Sequence, residues 1–171
     1  MARYAFTFVV ILLAALSRLL PHPVNFAPIT ALALFGGVYL DKKHTFIVPI
    51  AAMLISDYFI GFYSGMAWVY ASFIAIGCIG LWLRNHRGIG TTIAATFAGS
   101  LLFFVVTNFG VWISSQVTYP YTFAGLVQCY VSAIPFFRNS LLGDFVYVGA
   151  LFGVYELAKK IVPSLTTPVK A

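Results

Sequence analysis

The side chains that could do chemistry in this chain are few, and they stand in strongly apolar surroundings. Arg18, Asp57 and Asp144 lie within or at the edge of long apolar segments, and Arg138 and Asn139 precede Asp144 by one to two helical turns. His22, Asn25, Tyr58, Asn108, Trp112 and Tyr130 fall at the same level along their own segments. None of these residues forms a nucleophile–base or metal-ligand pattern. There is no HExxH, no Walker A, no GxSxG and no pair of histidines at ligand spacing. The residues therefore suit binding, and they require no cofactor and no metal.

A charge at the centre of a spanning helix costs about 2.5–3.5 kcal/mol on insertion scales, so such groups face an interior and pair. By sign and depth the expected pairs are Arg18 with Asp57 and Arg138 with Asp144. Amide and aromatic groups orient a small solute by hydrogen bonds and stacking. Either guanidinium offers a fork suited to a carboxylate or phosphate on that solute. The competing reading makes these groups buried ion pairs that only fix helix packing. Trp68, Tyr119 and Tyr121 read as an interfacial aromatic belt.

The elements that must position these residues are helices. The chain has 171 residues, 61% hydrophobic and 8% charged, with a mean hydropathy of +0.96, whereas soluble domains carry about a quarter charged residues. The expected fold is an all-α integral membrane protein in a single domain, each crossing needing about 20 apolar residues. The apolar segments place six transmembrane helices over 4–20, 28–40, 45–62, 67–83, 91–115 and 140–161. A further short helix over 123–137, re-entrant or interfacial, lies between the fifth and sixth. The first apolar run is followed by Arg18 and Leu19-Leu20-Pro21 in place of a small-x-small cleavage site, so it reads as a helix and not as a leader.

The stretch Arg18–Gly37 joins the first two helices. Pro21, Pro23 and Pro28 cannot donate backbone hydrogen bonds, and each restricts its predecessor, so helix is not expected between Leu20 and Ala27. Irregular backbone near a bilayer is tolerated only where protein or a water-filled cavity surrounds it. This stretch reads as one wall of a site. The second helix is short for a crossing, and Gly36 and Gly37 allow a neighbouring backbone to approach closely.

The formal net charge of +6 does not point to nucleic acid, because the basic residues sit in short loops where they set topology. With six crossings and the N-terminus in the cytoplasm, Arg3, Lys42, Lys43, Arg84, Arg87, Lys159, Lys160 and Lys170 fall inside, and only Arg18 and Arg138 fall outside. Both termini are then cytoplasmic. Glu156 and Lys160 are spaced for an i,i+4 pair. Cys78 and Cys129 sit in apolar segments and form no CxxC motif; Cys78 reads as a small buried hydrophobe.

The segments RLLPHPVNFAPITALALFGG, ISDYFIGFYSGM, NFGVW and AIPFFRNSLLGDF resemble those of a family of uncharacterised bacterial inner-membrane transport proteins. That family is in turn similar to the substrate-binding S-components of energy-coupling-factor vitamin transporters. The resemblance implies six helices, a proline-broken start to the second, and an outward-facing pocket for a vitamin-like or corrinoid solute. It also implies an energy-coupling transmembrane subunit and ATPases as partners. The chain departs from the S-component pattern in one respect. Helix 1 has Ala14-Ala15 but no Ala-x-x-x-Ala spacing, and the nearest match is Ala27 to Ala31. In the cobalamin-transporting branch an intramembrane cysteine contacts the corrin cobalt, but Cys78 falls on the wrong side of the membrane and is not carried over. The alternative is a non-transporting membrane scaffold that packs through its small-residue helix faces.

Overall fold

The computed structural model describes residues 2–21, 23–42, 44–114 and 118–165. All regular structure among the described residues is helical, in the order α1 (Ala2–Leu16), a short 3-10 turn (Ser17–Leu19), α2 (Ile29–Tyr39), α3 (His44–Ile60), α4 (Met66–Asn85), α5 (Ile89–Ser114) and α6 (Phe123–Ile161), with a second 3-10 turn at Pro163–Leu165. Three of them, α4, α5 and α6, are long and apolar enough to cross a membrane, while Tyr4–Leu19, α2 and α3 are shorter apolar helices. Much of the exterior is apolar as well: Ile89, Phe123, Ile161 and Phe62 are all largely exposed.

The bundle is built around its shortest long-range element. α2 has 11 residues, about 16 Å at 1.5 Å per residue, and every residue from Thr30 to Tyr39 is buried. A helix that is apolar on all sides belongs in a core, and α2 packs against each of the other five helices. Phe35, Tyr39, Phe152 and Tyr155 interlock in an aromatic cluster between α2 and α6. On the opposite side α2 meets α4 backbone to backbone. A Cβ on Gly37 would stand 2.6 Å from the Gly80 main chain, and one on Gly80 would stand 2.7 Å from the Leu34 carbonyl oxygen. Main-chain atoms cannot move aside as a side-chain tip can. Gly80→Ala is therefore expected to cost about 1–3 kcal/mol, whereas Gly153→Ala, where nothing lies within 4 Å, should be neutral or stabilising by up to about 1 kcal/mol. Thermal denaturation of the two variants checks this; equal melting temperatures would refute the close crossing.

Both ends of α2 are closed by charged side chains from other helices. Its Pro28 N-cap supplies no side-chain bond. Instead the Asp144 carboxylate of α6 accepts from the Thr30 backbone N–H and hydroxyl. At the other end the Arg84 guanidinium of α4 donates to the carbonyl of Gly37, at 3.0 and 2.5 Å, and to that of Leu40. Arg87 adds a bond to the Val38 carbonyl at 3.3 Å and lies over the Tyr39 ring. A helix leaves four N–H and four C=O groups unsatisfied at its ends. Negative charge belongs at its N-terminus and positive charge at its C-terminus, and buried α2 has both.

The links between helices follow local chemistry. Gly61, with φ 101, ends α3, and Gly65, with φ 94, turns the chain into α4 across a turn at Tyr63–Met66. Asp41 starts α3 as its N-cap, accepting from the His44 backbone N–H at 2.9 Å, the His44 ring at 2.6 Å and the Tyr4 hydroxyl at 3.1 Å. Partial burial pushes the Asp41 carboxyl up, but these three donors outweigh it and hold it below the usual carboxylate range. The contribution is thus fully present at neutral pH and is lost only as pH falls through that lowered value. Glu156 pairs with Lys159 at 2.5 Å and not with Lys160, because its other oxygen is held by the Tyr39 hydroxyl. Cys78 is exposed and Cys129 is buried, so the reading of Cys78 as buried is corrected.

The largest difference from the expected helix pattern concerns 123–137. It is not a separate helix. Phe123–Ile161 is one helix of 39 residues, about 58 Å long against a hydrocarbon core of about 30 Å. Thr122 caps its start by accepting from the Gly125 N–H at 3.0 Å. Pro135 lies inside it, which forfeits one intrahelical bond, and no second breaker follows in Phe136-Phe137-Arg138-Asn139 to stop the helix there. Its first turns run beside the end of α5, where Tyr130 donates to the Val105 carbonyl at 2.7 Å and Cys129 to that of Asn108 at 3.5 Å.

Candidate functional site

At the end of the bundle opposite Arg84 and Arg87, a cavity of about 500 Å³ opens above the N-terminus of α2. Its floor is Ile29, Thr30, Ser100 and Asp144; its walls come from α5 and α6, with Ile60, Tyr63 and Val69 opposite and Arg18 and Asn25 toward the loop that joins α1 to α2. Two helical stripes supply most of the lining. On α5 these are Ser100, Phe103, Phe104, Thr107, Asn108 and Val111, and on α6 they are Ala133, Phe136, Phe137, Ser140 and Asp144. Spacings of three and four put each set on a single face.

The proline-rich stretch is irregular from Leu20 to Pro28 among its described residues. It is held down at three points. Phe26 donates its N–H to the Pro23 carbonyl at 3.0 Å, closing a turn in which Asn25 takes the left-handed conformation, φ 61, a region that Asn enters more readily than most residues. Asn139 donates to the Val24 carbonyl at 3.2 Å, and Phe26 packs over Gly143 and beside the Tyr147 ring. The loop is thus fastened to α6, with Asn25 at the cavity rim.

Arg18 sits on the 3-10 turn after α1, and its guanidinium crosses to α3. It donates to the Ser56 hydroxyl at 2.6 Å and pairs with Asp57 Oδ1 at 2.7 Å, with only 8% and 0% of the two side chains accessible. The Tyr70 hydroxyl of α4 donates to Asp57 Oδ2 at 2.7 Å. This buried triad ties α1, α3 and α4 together beside the cavity. Asp144 behaves differently. It is 3% exposed, accepts from Ser100 at 2.6 Å and from Thr30, and is not paired with Arg138. That expected pair is corrected. Arg138 is exposed and does not line the cavity, and the N-terminus of α2 takes the carboxylate in its place.

Of the residues expected at one site, Arg18, Asn25, Asn108 and Asp144 line the cavity. Asp57 lies behind Arg18. Asn139 anchors the loop. Trp112 donates to the Pro120 carbonyl at 3.1 Å and stacks edge-on with Tyr121, in the link between α5 and α6. Tyr130 is engaged with α5, Tyr58 is 71% exposed on the outside of α3, and His22 lies outside the described residues. Sequence reasoning missed Thr30, Tyr63, Ser100 and the phenylalanines of α5 and α6. Counting back from Asn108 by four and eight would have reached Phe104 and Ser100, and counting back from Asp144 by four and seven reaches Ser140 and Phe137.

No group of three or more His, Cys, Asp or Glu among the described residues could hold a metal ion. The cavity's chemistry is that of an apolar, aromatic container with a few fixed polar groups, the usual constitution of a small-molecule pocket. No curated protein and no solved structure matches the chain. A family model matches residues 1–165, and by that match the chain belongs to the Family of unknown function (DUF6580).

Proposed function

We propose that the protein is a multi-pass protein of the bacterial inner membrane, with six crossings and both termini in the cytoplasm, that binds a small solute in this cavity for uptake in the manner of an S-component. The observation that carries the reading is the cavity itself: about 500 Å³, walled by two phenylalanine-rich helix faces and floored by polar groups at the end of a buried helix. A scaffold that worked only by packing would have no use for a void there, since cavities cost stability. Lys42, Arg84, Arg87, Lys159 and Lys160 gather at the opposite end, so the positive-inside rule turns the cavity outward. An energy-coupling transmembrane subunit and its ATPases are the partners of coupled uptake; a solitary transporter is the alternative, since α1 lacks the Ala-x-x-x-Ala spacing.

Binding by the purified, detergent-solubilised protein across a panel of vitamins and corrinoids tests the reading. Asn108→Ala is expected to weaken the bound compound by about tenfold, equivalent to about 1.4 kcal/mol, because Asn108 lines the cavity. Arg138→Ala, on the exposed side of α6, should leave affinity unchanged. The reverse pattern would move the site out of the cavity.

A further inference from the structure

The charge and hydrogen-bonding inventory of the cavity specifies what it can hold. Arg18 brings the one cationic group among the described lining residues, and it is already neutralised by Asp57 at 2.7 Å. Its remaining contacts are the Ser56 hydroxyl, the Met53 sulfur and the Tyr63 hydroxyl. Its charge is already offset by a carboxylate, which weakens its pull on an anionic solute. Asp144, by contrast, has only neutral donors around it, Ser100 and Thr30. Among the described lining residues, Asp144 is thus the one carboxyl group, and no cation is paired with it.

The neutral polar groups point the same way. Thr107 spends its hydroxyl proton on the Phe103 carbonyl, Ser140 on that of Phe136, and Asn108 gives its amide N–H to that of Phe104. What they leave over is mostly lone pairs, the hydroxyl oxygens and the Asn108 side-chain carbonyl, with one N–H of Asn108 still free to donate. Donors remain at the rim, on Asn25 and Tyr63, both exposed. Among the described lining residues the interior presents mainly acceptors and one carboxyl group, surrounded by Phe103, Phe104, Phe136 and Phe137, whose ring faces also attract cations.

We infer that the solute is a small organic cation bearing N–H donors, an ammonium or amidinium on an apolar or aromatic body, with its charged end against Asp144 and its body among the α5 and α6 phenylalanines. This rests on the cavity being the binding site. A buried carboxylate without a counter-ion is costly, and an N–H cation satisfies the charge and the open acceptors together, through charge-assisted hydrogen bonds.

The test uses the full chain in detergent and three sets of probes. Each set is an amine, an alcohol and a carboxylate on one body: phenylethyl, indolylethyl and aminopyrimidinylmethyl. Affinity is read by calorimetry and ligand-induced thermal shift. In at least one set the amine is expected to bind at least tenfold tighter than its alcohol and carboxylate partners. Asp144→Asn should erase that preference. Should Asp144→Asn fail to fold, the charge preference of the unaltered protein decides alone. Carboxylates or alcohols that bind as tightly as amines, with affinity still lost in Asn108→Ala, would overturn the cation and leave the site standing. If no probe of any charge binds, and the vitamin and corrinoid panel does not either, the site falls and the inference with it.

Discussion

Replacing Arg84 by methionine is expected to cost the protein about 3–5 kcal/mol of stability, the largest effect of any single substitution outside the cavity. Arg84 donates to the Gly37 and Leu40 carbonyls at the C-terminal end of α2, a helix buried from Thr30 to Tyr39. A buried acceptor left unsatisfied costs about 1–3 kcal/mol, and two are exposed at once. Loss of the positive charge from the helix C-terminus adds up to about 2 kcal/mol in buried geometry. Methionine keeps the apolar stem and much of the volume, so lost packing is a minor part. Lysine retains the charge but reaches one carbonyl at a time and lacks the fork, so Arg84→Lys should fall between. At about 2–4 °C per kcal/mol for a chain of this size, Arg84→Met lowers the melting temperature by about 10 °C. A shift of under about 2 °C, less than 1 kcal/mol on that scale, would show that α2 does not depend on this cap.

The second large effect is a double-mutant cycle on Arg18 and Asp57. Breaking a buried pair strands the surviving charge, at a cost of about 3–5 kcal/mol in soluble proteins. The figure is lower where the unfolded state stays in lipid and finds other partners; about 2–4 kcal/mol is the expectation for either Arg18→Met or Asp57→Asn alone. Together they should cost less than the sum of the two, because the double variant has no stranded charge. The amide oxygen introduced by Asp57→Asn can still accept from the Tyr70 hydroxyl, which stands 2.7 Å from Oδ2 of the aspartate. A coupling of at least about 1 kcal/mol between the two sites is predicted, as for residues in direct contact. Strict additivity of the three melting temperatures would mean that the pair at 2.7 Å contributes nothing specific and that Met53 and Ser56 hold Arg18 in place.

These two sites differ in how far they could be read from the chain. The Arg18–Asp57 pair was legible beforehand, since opposite charges at one depth of apolar segments are driven to pair. The absence of helix between Leu20 and Ala27 was legible too, because proline removes donors whatever surrounds it. So were the helical segments, as helix is the one open-ended way to satisfy backbone groups in an apolar setting. The boundary at Phe137 was not, because a lone proline kinks a helix or ends it depending on what packs beside it, and here the end of α5 supports the turns before Pro135.

By itself, then, the sequence determined that the chain is helical, which stretch before α2 is not, and at what level Arg18, Asn108 and Asp144 stand. Helical periodicity assigns a residue to a face of its own helix, and no more. Only the tertiary structure decided which neighbour that face meets. It put the 11-residue α2 at the centre of the bundle, with Asp144 at one end and Arg84 at the other, each far along the chain from its α2 partners. It gave Asp144 to Thr30 and Ser100 and left Arg138 outside. The reason is physical. A buried helix of few turns must have its end groups satisfied by something, and the partners that do so are fixed by the crossing of separate helices through close contacts such as Gly37 on Gly80, which no local pattern encodes.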